Sequence, residues 1–272
     1  MIGVFDSGIG GLSVLDAIAR ELPDQEIVYL ADTAHIPYGN KNDAYICERV
    51  QRIGAYLAGR GCRQVVVACN TATAAAAETL RAMLPTIYVV GIEPGIKPAA
   101  LNSRSRHIAV LATESTSRSE RLAGLIRWYA NGVQVDVLPC PGWASKVESL
   151  HLDDPDLAAE AWRLLTPVLA QGADHVVLGC THYSFLKPLL EPIVAERAVL
   201  VDVADAVARQ CRRLVAQDTD TSSIGTLARE STTARLNLAA TAHPQRLEQA
   251  IATLKLDVLA GRFSGPALLA NI

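Results

Sequence analysis

Two cysteines in this sequence share a setting in which a thiol can be put to chemical use. Val65-Val66-Val67-Ala68-Cys69-Asn70-Thr71 and Val176-Val177-Leu178-Gly179-Cys180-Thr181-His182 follow one pattern: an apolar run, a small residue, a cysteine, then polar side chains. The run reads as a buried strand and the polar residues as the start of a helix. A helix N-terminus favours the thiolate, as a neighbouring cation does. One such cysteine is more often a small buried hydrophobe. Two in repeat-related places argue for a chemical role. Facing each other across a cleft, two thiols suit the inversion of an amino acid at its α-carbon. One, as thiolate, takes the proton from one face, and the other, as thiol, returns a proton to the opposite face. The roles swap with the handedness of the substrate, and neither PLP nor a metal need take part.

Other side chains could assist. His182 stands two residues past Cys180, and Asp6 opens the turn Asp6-Ser7-Gly8-Ile9-Gly10-Gly11; either could position or activate a thiol. That turn follows a strand-like run and precedes a helical one, but it is a poor dinucleotide fingerprint, because Ser13 stands where a glycine is needed. It reads instead as a tight turn whose backbone N–H groups face a small anion. Glu93, in Gly91-Ile92-Glu93-Pro94, and Asp202 close comparable runs, where a carboxylate either serves a site or caps the next helix.

The elements that must position these groups alternate. Strand-like runs at Ile2–Phe5, Ile27–Leu30, Gln64–Ala68, Ile87–Val90, His107–Leu111, Gln134–Leu138, His175–Leu178 and Val199–Val203 are separated by helix-length amphipathic stretches. This predicts parallel sheets covered by helices on both faces. A weak internal repeat, Ile2–Phe5 with Ile108–Leu111 and the two cysteine runs with each other, divides the chain into two pseudo-symmetric three-layer α/β lobes. Residues 1–95 with 209–272 form the first, and residues 96–208 the second. The active site then lies in the cleft between them, at the C-terminal ends of strands. The tail carries a strand-like run, Leu236–Ala240, and a helix-like one, Pro244–Leu254, and returns to the first lobe. Asp218–Thr226 reads as a loop.

Composition narrows the function. With 25 Lys+Arg and 28 Asp+Glu interspersed, and only 3 Trp, 7 Tyr and 3 Phe, the chain shows neither a basic footprint nor stacking platforms for nucleic acid. No apolar run approaches the ~18 residues of a membrane span, and the N-terminus lacks the basic region of a signal peptide. A soluble cytoplasmic protein with a small polar site is expected. Cys47, Cys62, Cys140 and Cys211 read as structural, a disulfide framework is not expected, and Cys180-Thr181-His182 alone is a weak case for a metal.

Together these segments resemble the cofactor-independent glutamate racemases of the aspartate/glutamate racemase superfamily. The matching stretches, in the family's order, are Asp6–Leu12, Ala31-Asp32 through Pro37-Tyr38-Gly39, Ala68–Ala72, Gly91–Pro94, Leu111-Ala112-Thr113 with Thr116, and Leu178–Tyr183. The resemblance implies that Cys69 and Cys180 are the acid/base pair, with Asp6 and Glu93 assisting Cys69 and His182 assisting Cys180. It implies a glutamate-binding set of Asp6, Ser7, Tyr38, Gly39, Asn70, Thr71, Thr116, Thr181 and His182. It further implies no cofactor and no metal, a role in supplying D-glutamate for peptidoglycan, and a possible homodimer. The chain departs from the family at Val203, Arg121 and Ser184, and the run Leu236–Thr241 matches its last strand loosely. Three other readings share these residues: a relative acting on aspartate or a hydantoin, a two-lobed sensor that closes on an acidic metabolite, and a thiol hydrolase using Cys180 with His182. The last leaves Cys69 without a task.

Overall fold

The computed structural model describes residues 1–221, 234–263 and 265–272. Ten strands are present among them: β1 (Ile2–Asp6), β2 (Ile27–Ala31), β3 (Gln64–Val67), β4 (Tyr88–Gly91), β5 (His107–Ala112), β6 (Gln134–Pro139), β7 (His175–Leu178), β8 (Val199–Val201), β9 (Leu236–Ala240) and β10 (Leu268–Leu269). The helices are α1 (Leu12–Glu21), α2 (Asp43–Gly59), α3 (Asn70–Met83), α4 (Ile96–Asn102), α5 (Glu114–Ser117), α6 (Glu120–Tyr129), α7 (Trp143–Glu148), α8 (Pro155–Ala170), α9 (Lys187–Val194), α10 (Ala204–Thr221), α11 (Gln245–Thr253) and α12 (Asp257–Ala260).

The strands form two sheets, ordered β10-β9-β2-β1-β3-β4 and β6-β5-β7-β8, and every described pairing is parallel. The order β2-β1-β3-β4 in the first sheet is the order β6-β5-β7-β8 in the second. The repeat read from short apolar runs is therefore a repeat of topology. Side chains of β1, β2, β3 and β5 are buried on both faces, as helix-covered parallel strands require. The two α/β halves are not separate bodies. One apolar cluster runs from Leu12, Leu15 and Ile18 of α1 through Trp143 and Tyr183 to Leu157 and Leu165 of α8.

Local chemistry sets several boundaries. Asn42 accepts a hydrogen bond from the Tyr45 N–H at 2.8 Å and starts α2. Asp154 caps α8 through the N–H groups of Asp156 and Leu157, with Pro155 at the first helical position. The tail adds β9 beside β2, as expected, followed by α11. The expectation of a loop at Asp218–Thr226 is corrected in part: α10 continues to Thr221, and Arg63 reaches its Asp218 at 2.8 Å. Residues 222–226 lie outside the described residues. α5 and α6 are separate helices, because Ser119 starts the second by accepting from the Leu122 N–H at 3.2 Å.

In each sheet the chain moves outward in opposite directions from the first strand, so β1/β3 and β5/β7 flank a switch point. Asp6 ends β1 and Cys69 follows β3; Thr113 follows β5 and Cys180 follows β7. The two switch points open into one cleft.

Candidate active site

The cleft has a volume of about 390 Å³ and takes its walls from both halves, including Cys69, Asn70 and Thr71 on one side and Thr113, Cys140, Cys180 and His182 on the other. Cys69 and Cys180 are 6% and 8% exposed, so each thiol reaches the cleft through a narrow window. Both are extended residues that immediately precede helical turns.

On the first side, the Cys69 thiol donates to Ser7 Oγ at 3.8 Å. Ser7 Oγ in turn lies 3.5 Å from Asp6 Oδ1, and Asp6 Oδ2 accepts the Gly11 N–H at 2.6 Å. Burial pushes the Asp6 carboxyl above its ordinary value, opposed by His182 and by the Gly11 and Ser7 N–H groups. Burial, and next the charge of Asp6, also push the Cys69 thiol well above the usual thiol range. This side holds its proton.

The second side is built to stabilise negative charge. Cys180 Sγ lies 3.6 Å from His182 Nδ1, and His182 Nε2 lies 2.6 Å from Glu148 Oε1. Burial works against an imidazolium here, but the hydrogen bonds to the Cys180 sulfur and to Glu148, with their charges, raise His182 well above its ordinary value. A charged imidazolium beside Cys180 supplies the cation that a thiolate needs. Glu148 also accepts the Ile9 N–H at 2.7 Å, which ties the end of α7 to the turn after β1.

The glycines of that turn are explained by this contact. A Cβ at Gly8 would lie 1.8 Å from Glu148 Oε1, and one at Gly10 would lie 2.4 Å from His182 Nδ1. The turn's amides therefore hold the protein's own carboxylates, Asp6 and Glu148, rather than facing open solvent for an external anion.

Polar groups for a substrate surround the thiols. Asn70 Nδ2 is buried without a hydrogen-bond partner, a donor whose desolvation is offset only when an acceptor arrives. Thr71, Thr113 and Thr116 share hydroxyl contacts of 3.1–3.3 Å across the two halves. Tyr38 and Gly39 line the cleft, and the Tyr38 hydroxyl donates to Asp32 Oδ2 at 2.6 Å. Asp6, Thr116 and Thr181 stand behind the lining, and Thr181 O accepts from Ser13 Oγ at 3.3 Å.

Arg49 reaches Asp32 with Nε at 3.0 Å and Nη2 at 2.9 Å, and both side chains are buried. Removing one member of a buried pair leaves an uncompensated charge. Arg49→Met is expected to lower unfolding free energy by about 3 kcal/mol, measured by urea titration, and to loosen Tyr38. An unchanged midpoint would show that Asp32 needs no such partner.

Glu93 is not brought to Cys69. Its Oε1 accepts from Arg121 Nε at 2.7 Å and from Arg121 Nη2, and it lies outside the cleft lining. Arg121, one of the departures from the family pattern, thus explains where that carboxylate goes. Asp202 caps α10 through the Ala204 N–H at 3.0 Å and meets Lys187 Nζ at 2.6 Å. Cys140, taken as structural, lines the cleft; burial pushes its thiol upward, and it donates to Leu138 O at 3.3 Å. Two functional candidates carried no signal in the sequence: Glu148, on a six-residue helix, and Arg246, a cation of α11 that also lines the cleft. Among the described residues no group of three or more His, Cys, Asp or Glu could hold a metal ion, and no helix is long and apolar enough to cross a membrane.

Two thiols thus open into one cleft from the switch points of two like-wound α/β halves. The chain belongs to the Asp/Glu/Hydantoin racemase family, whose sequence profile matches residues 2–211. It is 48% identical over 214 residues to a glutamate racemase of Pseudomonas aeruginosa, an alignment covering 79% of this chain and 81% of that protein. The structure of Escherichia coli glutamate racemase in complex with L-glutamate and the activator UDP-MurNAc-Ala superposes with a TM-score of 0.82 at 32% identity, covering 100% of this chain and 98% of the other. Glutamate racemase from Aquifex pyrophilus gives a TM-score of 0.74 at 31% identity, over 98% and 97% of the two chains.

Proposed function

We propose that this protein interconverts L- and D-glutamate by proton transfer between Cys69 and Cys180, without PLP or metal, and that it supplies D-glutamate for peptidoglycan. The observation that carries the reading is the pair of buried thiols opening into one cleft from equivalent strand ends, each with its own proton-handling partners. The similarity to glutamate racemases at 48% and 32% identity supports glutamate as the substrate.

The two thiols have different neighbours before substrate arrives. Cys69 is held as a thiol by burial and by Asp6, and Cys180 sits beside a charged His182. Cys180 thiolate takes the α-proton of one enantiomer, and Cys69 delivers its proton to the opposite face of the carbanion. The products are the mirror-image amino acid, a Cys69 thiolate and a Cys180 thiol. The other enantiomer runs the same steps backwards. Asn70, the threonine cluster and Tyr38 serve the substrate's carboxylates and ammonium with neutral donors and acceptors.

Incubation with L-glutamate in D₂O, without added PLP, should yield D-glutamate deuterated at Cα while the remaining L-glutamate keeps its proton at early times. Run in parallel, L-aspartate should turn over far more slowly. Faster turnover of aspartate would reassign the substrate. Tight binding of glutamate without exchange would point instead to a sensor.

A further inference from the structure

Glutamate brings two carboxylates and one ammonium into a cleft whose donors, apart from the His182 ring already held by Glu148, are neutral hydroxyls and amides. Two carboxylates, Glu114 and Glu148, already line that cleft. Among the described lining residues Arg246 is the single Lys or Arg. It comes from neither of the strand–helix junctions that carry the thiols. It lies in the first turn of α11, in the segment that follows β9, and is exposed.

Arg246 is nonetheless aimed. The turn leading into α11 is fastened to the wall that carries Tyr38: Thr241 Oγ1 donates to Asp32 Oδ1 at 2.9 Å, and the N–H of Ala34 donates to Thr241 Oγ1 at 2.9 Å. The Ala242 N–H donates to Thr33 Oγ1 at 2.9 Å, and that hydroxyl donates back to Ala242 O. Asp32 therefore orients both Tyr38 and the turn that presents Arg246. From there Arg246 Nη2 crosses to the other half and donates to the main-chain O of Glu148 at 2.7 Å. A guanidinium has five donors in a planar fork matched to a carboxylate. One is engaged by a neutral carbonyl, and among the described residues no carboxylate forms an ion pair with it.

We propose that Arg246 is the carboxylate-recognising cation of this cleft, drawing the dicarboxylic amino acid in and holding one of its carboxylates at the mouth. This rests on the glutamate reading above. Its place at the rim, against solvent, makes capture its task; the proton transfers belong to the buried thiols. A charge at such a place acts over a Debye length and is weakened by salt. The scarcity of cations deeper in the cleft has a physical reason as well. A buried arginine would have to be desolvated whenever the site is empty, whereas a rim arginine stays hydrated until substrate arrives.

The test is racemisation of L-glutamate, followed by circular dichroism at several ionic strengths, for wild type, Arg246→Met and Arg246→Lys. Arg163→Gln, on an exposed position of α8, controls for the loss of one charge elsewhere. Arg246→Met should lower kcat/KM about tenfold, almost all of it as a rise in KM, as expected for one charge-assisted contact. Its kcat/KM should also lose most of the salt dependence shown by wild type and by Arg163→Gln. Arg246→Lys keeps the charge without the fork and should keep the salt dependence with a smaller rise in KM. If Arg246 only braced α7 through the Glu148 carbonyl, kcat would fall and the salt dependence would persist in the Met variant; that outcome overturns the proposal. Wild-type protein that fails to racemise glutamate overturns the functional reading instead, so the two failures are told apart.

Discussion

Cys69→Ser and Cys180→Ser are each expected to lower glutamate racemisation by about 10²–10⁴-fold, the range typical of a lost general acid or base. A hydroxyl is too weak an acid to replace a thiol on either face, and the neighbours differ in what they can rescue. Beside position 69 stand Ser7 and Asp6, whose carboxyl burial pushes upward; beside position 180 stands a charged His182 held by Glu148. Enantiomers have equal free energy in an achiral solvent, so kcat/KM must fall by one factor in both directions for any variant. The faces are told apart by how that loss divides between kcat and KM for each enantiomer. Cys69→Ser should leave the Cys180 sulfur, beside its imidazolium, able to take a proton, so the enantiomer that reacts at Cys180 keeps the more normal KM. Cys140→Ser is the internal control: it removes a third thiol from the cleft wall and should cost less than tenfold. A loss below tenfold in both Cys69→Ser and Cys180→Ser would falsify the two-thiol mechanism.

What was legible in the sequence followed from local regularity. Parallel strands are apolar on both faces, so they stand out as short β-branched runs, and the repeat between them became an identical strand order in two sheets. Cys69 and Cys180 were legible because they occupy the same place in that repeat. The Gly-rich turn was legible as a turn but not as to cause. Gly8 and Gly10 are small because the Glu148 carboxylate and the His182 ring press on them, and both partners lie far along the chain. Glu93 shows the opposite failure: the end of a strand fixes where a residue sits but not which way its side chain turns. Arg121 on α6 decided that. Glu148 and Arg246 were illegible for one shared reason. Each is a charged residue on a helix whose local pattern reads as a solvated face, and each gains its role from an element distant in sequence. For Glu148 that is the turn after β1 and His182; for Arg246 it is the Asp32-anchored turn and the end of α7.

Glu148→Gln should lower kcat by about 10–100-fold through His182 rather than by touching the reacting carbon, a smaller loss than removal of a thiol. The amide keeps the size of the carboxyl and can still accept from the Ile9 N–H and from His182, so the turn and α7 should stay in place. What disappears is the negative charge that helps raise His182 above its ordinary value. His182 then gives up its proton at lower pH, because the cationic ring has lost the stabilisation of its carboxylate. In the direction of turnover in which this side must deliver a proton, the alkaline limb of the kcat profile should therefore move to lower pH. Asp6, whose carboxyl Glu148 also pushes upward, should titrate slightly lower as well, and because its charge pushes the Cys69 thiol upward, the Cys69 side shifts in the opposite sense. A purely structural role predicts something different: a fall in kcat with the limbs of the profile in place, and a lower midpoint in thermal unfolding. An unmoved alkaline limb at a hundredfold lower kcat would thus assign Glu148 to holding the turn after β1, and His182 would have to owe its charge to the Cys180 sulfur alone.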